Sequence, residues 1–171
     1  MIISKLSGIK PQRGRTRYSR VHRVNESYAM LGKCNCGNVS FELTEPVAAM
    51  YKCYCILCQK QSGNASNAAT IVKNEIFRWL SGVDSVTVWK KNTGFNAHFC
   101  SRCGCPVPNP LGDGFMWVPM GLLQNADIPT VVHLFLETRR LWDLPGNCDG
   151  LIEGGGNVER LYEALESHRS T

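Results

Sequence analysis

The sequence predicts a mainly β domain built around metal-binding thiols. Short apolar runs of strand character alternate with clusters of Gly, Pro, Asn and Asp along most of the chain. Seven of the nine cysteines fall into three closely spaced sets, a spacing that lets short loops wrap sulfur around an ion.

The first segment, residues 1–30, lacks apolar periodicity and is expected to be a basic flexible arm or a non-native extension. Residues 1–31 carry seven basic side chains against Glu26 alone, a balance of +6, whereas the other 140 residues sum to −1. The charge therefore belongs to the arm, and nucleic acid is an expected partner only through residues 1–30. Three explanations of the arm stay open: contact with an anionic partner, organelle targeting, or a stretch upstream of a natural start at Met30.

Residues 31–171 are expected to form one zinc domain, since 171 residues suffice for one core and are few for two. Val39, Phe41 and Leu43 alternate with polar residues as a half-buried strand. Ala69–Val72, Val86–Trp89, Ala97–Phe99, Phe115–Val118 and Val131–Leu136 are further expected strands, and Asn74–Trp79 reads as a turn or edge segment. A short C-terminal helix is expected after Asn157, with Val158, Leu161, Tyr162 and Leu165 on one face. Trp79, Trp89, Trp117 and Trp142 are assigned to the core. No apolar run reaches the ~18 residues of a membrane span, and no apolar leader core follows Met1. The expected compartment is the reducing cytoplasm, where cysteines bind metal or react instead of forming disulfides.

Cys34 and Cys36, followed by Gly37, pair naturally with Cys100 and Cys103, followed by Gly104. Two such knuckles supply the four thiolates of a closed, structural zinc site. Cys53, Cys55 and Cys58 form a second set with no other ligand type before Glu75. Three protein ligands and an exchangeable position are the arrangement of a catalytic zinc, unless Cys105, Cys148 or His98 arrives from afar to close it. The expected load is thus about two zinc ions per chain. Three thiolates on a divalent ion leave a net negative charge, which favours activation of a thiol over activation of water. His98 and His133 read as sheet histidines, Tyr54 and Lys60 as candidate bases by adjacency alone. Gln59 to Asn64 reads either as pocket lining or as a solvated loop.

The series Gly32-x-Cys34-x-Cys36-Gly37, Cys53-x-Cys55-x-x-Cys58, Cys100-x-x-Cys103-Gly104 resembles the glutathione-dependent formaldehyde-activating enzyme family, the GFA or CENP-V/GFA domain. Ser62-Gly63, Phe77-Arg78-Trp79, His98-Phe99, Val118-Pro119, Gly121 and Trp142 also match, and the likeness spans about residues 31–145. It implies a β-tent fold and carbon–sulfur lyase chemistry that joins a small thiol such as glutathione to formaldehyde or a related aldehyde. It also implies a structural ion on Cys34, Cys36, Cys100 and Cys103 and a catalytic ion on Cys53, Cys55 and Cys58. Tyr54 stands where a His is common, and Cys105 where a small residue is usual. The competing expectation is a zinc-stabilised interaction domain that binds an anionic partner through its arm.

Overall fold

The computed structural model describes residues 29–124, 126, 128–143, 151–152 and 157–170. The arm up to residue 28 and Cys148 lie outside the described residues. In chain order the elements begin with β1 (Met30–Lys33), β2 (Ser40–Leu43), β3 (Met50–Cys53), α1 (Ile56–Ser62) and β4 (Asn67–Lys73). There follow β5 (Phe77–Ser81), β6 (Val86–Lys90), β7 (Asn96–Cys100), β8 (Asn109–Pro110) and β9 (Phe115–Pro119). The chain continues through β10 (Thr130–Leu134) and β11 (Leu151–Ile152) to α2 (Val158–Glu166). The fold is mainly β with a short C-terminal helix, as the sequence predicts.

Three sheets share the strands. The largest runs β11-β10-β3-β4-β9-β8; a second is β1-β2-β5, and β6 and β7 form a hairpin of their own. The large sheet is covered on both faces. On one face α2 sets Leu161 and Leu165 against Ala49, Tyr51, Ala69, Ile71, Trp117 and Leu134. On the other, Phe41 and Leu43 of β2 meet Val72, Met116 and Val118. Burial on both faces explains why β4 reads as an almost unbroken apolar run instead of an alternation. Asn157 Oδ1 accepts from the Arg160 N–H at 2.8 Å, the expected cap of α2.

The structure adds β1, β3 and α1, which short apolar patterns did not announce. Asn74–Trp79 divides into one helical turn and then β5, an edge strand paired with β2. The assignment of all four tryptophans to the core needs correction. Trp117 is buried and Trp79 half-buried, but Trp89 is 52% and Trp142 71% exposed. Trp89 lies on the two-stranded hairpin, where no third layer covers it, and Trp142 sits in an exposed turn after β10 with Leu141.

Gly32 shows how tightly β1 meets its sheet. A Cβ there would fall 2.2 Å from the Phe41 ring, which is fully buried and stacked on Phe77 at 5.5 Å. The ring has nowhere to go, so Gly32→Ala is expected to cost about 3 kcal/mol and lower Tm by roughly 10 °C. Thermal unfolding followed by circular dichroism checks this, and an unchanged Tm would show that the β1–β2 contact is looser than described.

Candidate metal and thiol site

Each cysteine set is delivered by the ends of regular elements. Cys34 and Cys36 lie in the turn after β1, where the Gly37 N–H returns to the Cys34 carbonyl at 3.0 Å. Cys100 ends β7, and the Gly104 N–H returns to its carbonyl at 2.8 Å. Both glycines have left-handed backbones, φ 74° and 69°, which is why glycine follows each knuckle. The four sulfurs all lie within 4.8 Å of one another. Cys34 Sγ is 3.5 Å from Cys36 Sγ, and Cys36 Sγ is 3.8 Å from Cys100 Sγ.

Those separations are too long for a disulfide and suit a metal ion. A disulfide needs sulfurs ~2.05 Å apart. Four sulfurs ~2.3 Å from a tetrahedral zinc are ~3.8 Å from one another. The described cysteines are all free thiols, and this set is already near the spacing of a tetrahedral thiolate site. Backbone N–H groups add to it. The Val39 N–H donates to Cys34 Sγ at 3.3 Å, and N–H groups of Cys105 and Cys36 pull the Cys103 thiol down to about 6.

The second set sits where β3 runs into α1. Cys53 ends β3, flanked by Asn67 of β4 and Leu134 of β10, and is buried. Cys55 is the N-cap of α1 and its sulfur accepts from the Cys58 N–H at 3.4 Å, so a thiol does the work usually given to Ser or Asp. Cys58 follows in the first turn. The three sulfurs lie within 4.8 Å of one another. Hydrogen bonds from Cys53 and Cys58 pull the Cys55 thiol down to about 2, while the same sharing pushes Cys53 up to about 11 and Cys58 up as well. The sharing favours the thiolate form at Cys55, and the three sulfurs could hold a cation.

Among the described residues no fourth ligand joins this triplet. Cys105 belongs beside the other set: it packs with Cys34, Val39, Cys100 and Val107, and its carbonyl accepts from the Cys100 N–H at 2.9 Å. His98 is not part of either set either; it is half-buried on β7 and lines a cavity. Burial, then Lys90, pushes its pKa down.

The loop that carries the triplet is fixed from behind. Gln59 is buried; its Nε2 donates to the Tyr54 and Thr138 carbonyls at 2.5 and 2.9 Å, and its Oε1 accepts from Arg140 Nε at 2.8 Å. Thr138 Oγ1 donates to the same Tyr54 carbonyl at 2.7 Å. The Tyr54 side chain is fully buried, its hydroxyl 3.1 Å from His133 Nδ1. Tyr54 is therefore a packing and anchoring residue, and its adjacency to the cysteines does not bring its hydroxyl to an open face. Sequence reasoning missed the bracing role of Gln59 and missed Thr138, because the bonds that tie Gln59 and the Tyr54 carbonyl to Thr138 and Arg140 span 79 to 84 residues of chain.

Gln59 to Asn64 proves to be mostly helix, and its two suggested readings both hold in part. Lys60 and Gln61 line a cavity of about 330 Å³ between α1 and the β6–β7 hairpin, while Ser62 to Asn64 are exposed.

A β domain that gathers four thiols at one turn pair and three at a strand–helix junction offers two sets of sulfur that could each hold a metal ion. The chain matches the family described as glutathione-dependent formaldehyde-activating enzyme over residues 29–138, and it belongs to that family. A crystal structure of a Rhodobacter sphaeroides protein is similar, at 21% identity and TM-score 0.48, covering 60% of this chain and 100% of that one. No curated protein matches the chain. Among the described residues no helix is long and apolar enough to cross a membrane.

Proposed function

We propose that this protein is a zinc-dependent carbon–sulfur lyase that reversibly joins a thiol to formaldehyde or a related small aldehyde. The observation that carries the reading is the triplet of Cys53, Cys55 and Cys58, convergent on one point with no fourth described ligand. In this reading Cys34, Cys36, Cys100 and Cys103 hold a structural zinc, and the triplet holds a second. Bound there, zinc supplies a positive charge that lowers the pKa of a thiol at its exchangeable position.

The chain's own residues do the rest. Cys53 is fixed by its place in the sheet, Cys55 by the cap it makes on α1, and Cys58 by the helix itself. Gln59 and Thr138 hold the intervening backbone through the Tyr54 carbonyl. The packed core behind Cys55 and Cys58 keeps water from that side of the triplet. In the reaction the thiol gives its proton to solvent and its sulfur adds to the carbonyl carbon. The C=O π pair moves to oxygen, which takes a proton from water and becomes the hydroxyl of the hemithioacetal. Glutathione is the thiol that the family's description names. Eight described cysteines remain free, in keeping with a reducing, cytoplasmic setting.

The direct test mixes glutathione and formaldehyde with zinc-loaded protein and follows adduct formation by NMR exchange. Exchange faster than the background, and lost in Cys55→Ser, is the expected result. Equal rates with and without protein, for this and other thiols, would leave a binding module and remove the enzyme.

A further inference from the structure

The cavity between α1 and the β6–β7 hairpin is lined by chain neighbours of both cysteine sets. Leu57 and Lys60 of α1 bracket Cys58 on one side, and Gly104 follows Cys103 on the other. The residues that line it include no cysteine, and Leu57 is the residue next to Cys58, so a molecule held here has its body beside the triplet's helix and not on the sulfurs. We propose that it binds the body of the thiol substrate, and that this body is apolar, ring-sized and carries one anionic group. The proposal rests on the triplet's reading above and names the class of thiol that reading takes.

Size gives the first argument. A volume of about 330 Å³ is that of a small-ligand pocket and far beyond the needs of formaldehyde. The lining gives the second. Trp89, Phe95 and Phe99 of the hairpin face Leu57 across it, and Trp89 is edge-on to Phe95 with ring centroids 6.5 Å apart. Trp89 is nevertheless 52% exposed, so an arene laid against it would remove aromatic surface from water that the fold leaves wet.

Charge gives the third. Lys60 lines the cavity, Lys90 and Lys91 follow Trp89 directly, and no acidic side chain is among the lining residues. That favours one anionic group at the rim. Glutathione has two carboxylates, an ammonium and two amides, and Lys60, Gln61 and His98 are too few polar side chains to replace the water on all of them.

The test uses full-length, zinc-loaded protein and two matched probes. The first is 4-ethylbenzoate, which cannot react; the second is 4-(mercaptomethyl)benzoate, its thiol counterpart. Calorimetry is expected to show saturable binding of 4-ethylbenzoate, weakened about tenfold by Trp89→Ala and about fivefold by Lys60→Met. Both side chains are exposed, so both variants are expected to fold, and a circular dichroism spectrum verifies it. With formaldehyde, 4-(mercaptomethyl)benzoate is expected to exceed glutathione at least tenfold in kcat/KM. Absent binding, or binding indifferent to both substitutions, overturns the proposal even if glutathione is turned over. So does a preference for glutathione. Binding with the expected sensitivities but no turnover of any thiol upholds the cavity and removes the lyase reading instead.

Discussion

Cys100→Ser is expected to cost the chain its fold at 37 °C, and not merely one metal ion. Cys100 is fully buried, with its sulfur 3.8 Å from Cys36 Sγ. The buried local core consists of Cys34, Val39, Cys100 and Val107, so half of its members are thiols and few buried apolar side chains remain to hold it. The site also joins two sheets, since Cys34 and Cys36 follow β1 while Cys100 ends β7. A two-stranded hairpin with β6 mostly exposed is marginal by itself. Structural zinc contributes an apparent ~10–16 kcal/mol in small zinc domains, against a net stability of ~5–15 kcal/mol for a whole domain. Losing one of four ligands, and leaving a buried hydroxyl in its place, is therefore expected to lower Tm by about 15 °C or more. Treating the unmodified protein with a chelator should do the same, while Cys105→Ser should retain the ion. Zinc content by mass spectrometry and thermal unfolding check all three. A zinc-free protein that melts with the loaded one would show that the four thiols do not hold the fold.

The parts of this structure that sequence reveals are those with short-range physics. Cys-x-Cys-Gly and Cys-x-x-Cys-Gly announce knuckles because sulfur pair and turn residue are neighbours. Asn157 and its apolar face announce α2 for the same reason. By contrast, α1 has only seven residues and is capped by Cys55, so it carries neither a useful period nor a familiar start signal. β3 is four residues long and runs directly into the cysteine triplet, which hides its alternation. Its parallel partner β10 lies about 80 residues on, and nothing local marks that pairing. The same distance hides the Tyr54–His133 contact and the Gln59–Thr138 brace. Trp89 shows the opposite error: its composition says core, and only the missing third layer over the hairpin places it in solvent. The triplet's composition was legible, but its lack of a described fourth ligand became visible only once Cys105 was placed beside the other set.

Cys58→Ser is expected to lower zinc content from about two ions to about one, with the fold retained and thiol addition largely lost. Cys58 is half-buried in the first turn of α1, where Ser is readily accommodated, and it has no part in the four-sulfur set. The size of the kinetic loss follows from acid–base chemistry. A free thiol of pKa ~8.5 is only ~3% ionised at pH 7, so complete ionisation at the site is worth about 30-fold there. That advantage has a sign with pH. As pH rises through the thiol's own pKa, free thiol ionises without help, and the benefit of the site shrinks. The ratio of wild-type to variant rate should therefore be at least about 30 at pH 7 and fall to a few-fold by pH 9.5, where positioning alone remains. Rates of hemithioacetal formation across that range measure it. A ratio that stays constant with pH would remove thiol ionisation as the source of the rate. Two ions still bound to Cys58→Ser would remove the triplet as the second metal site.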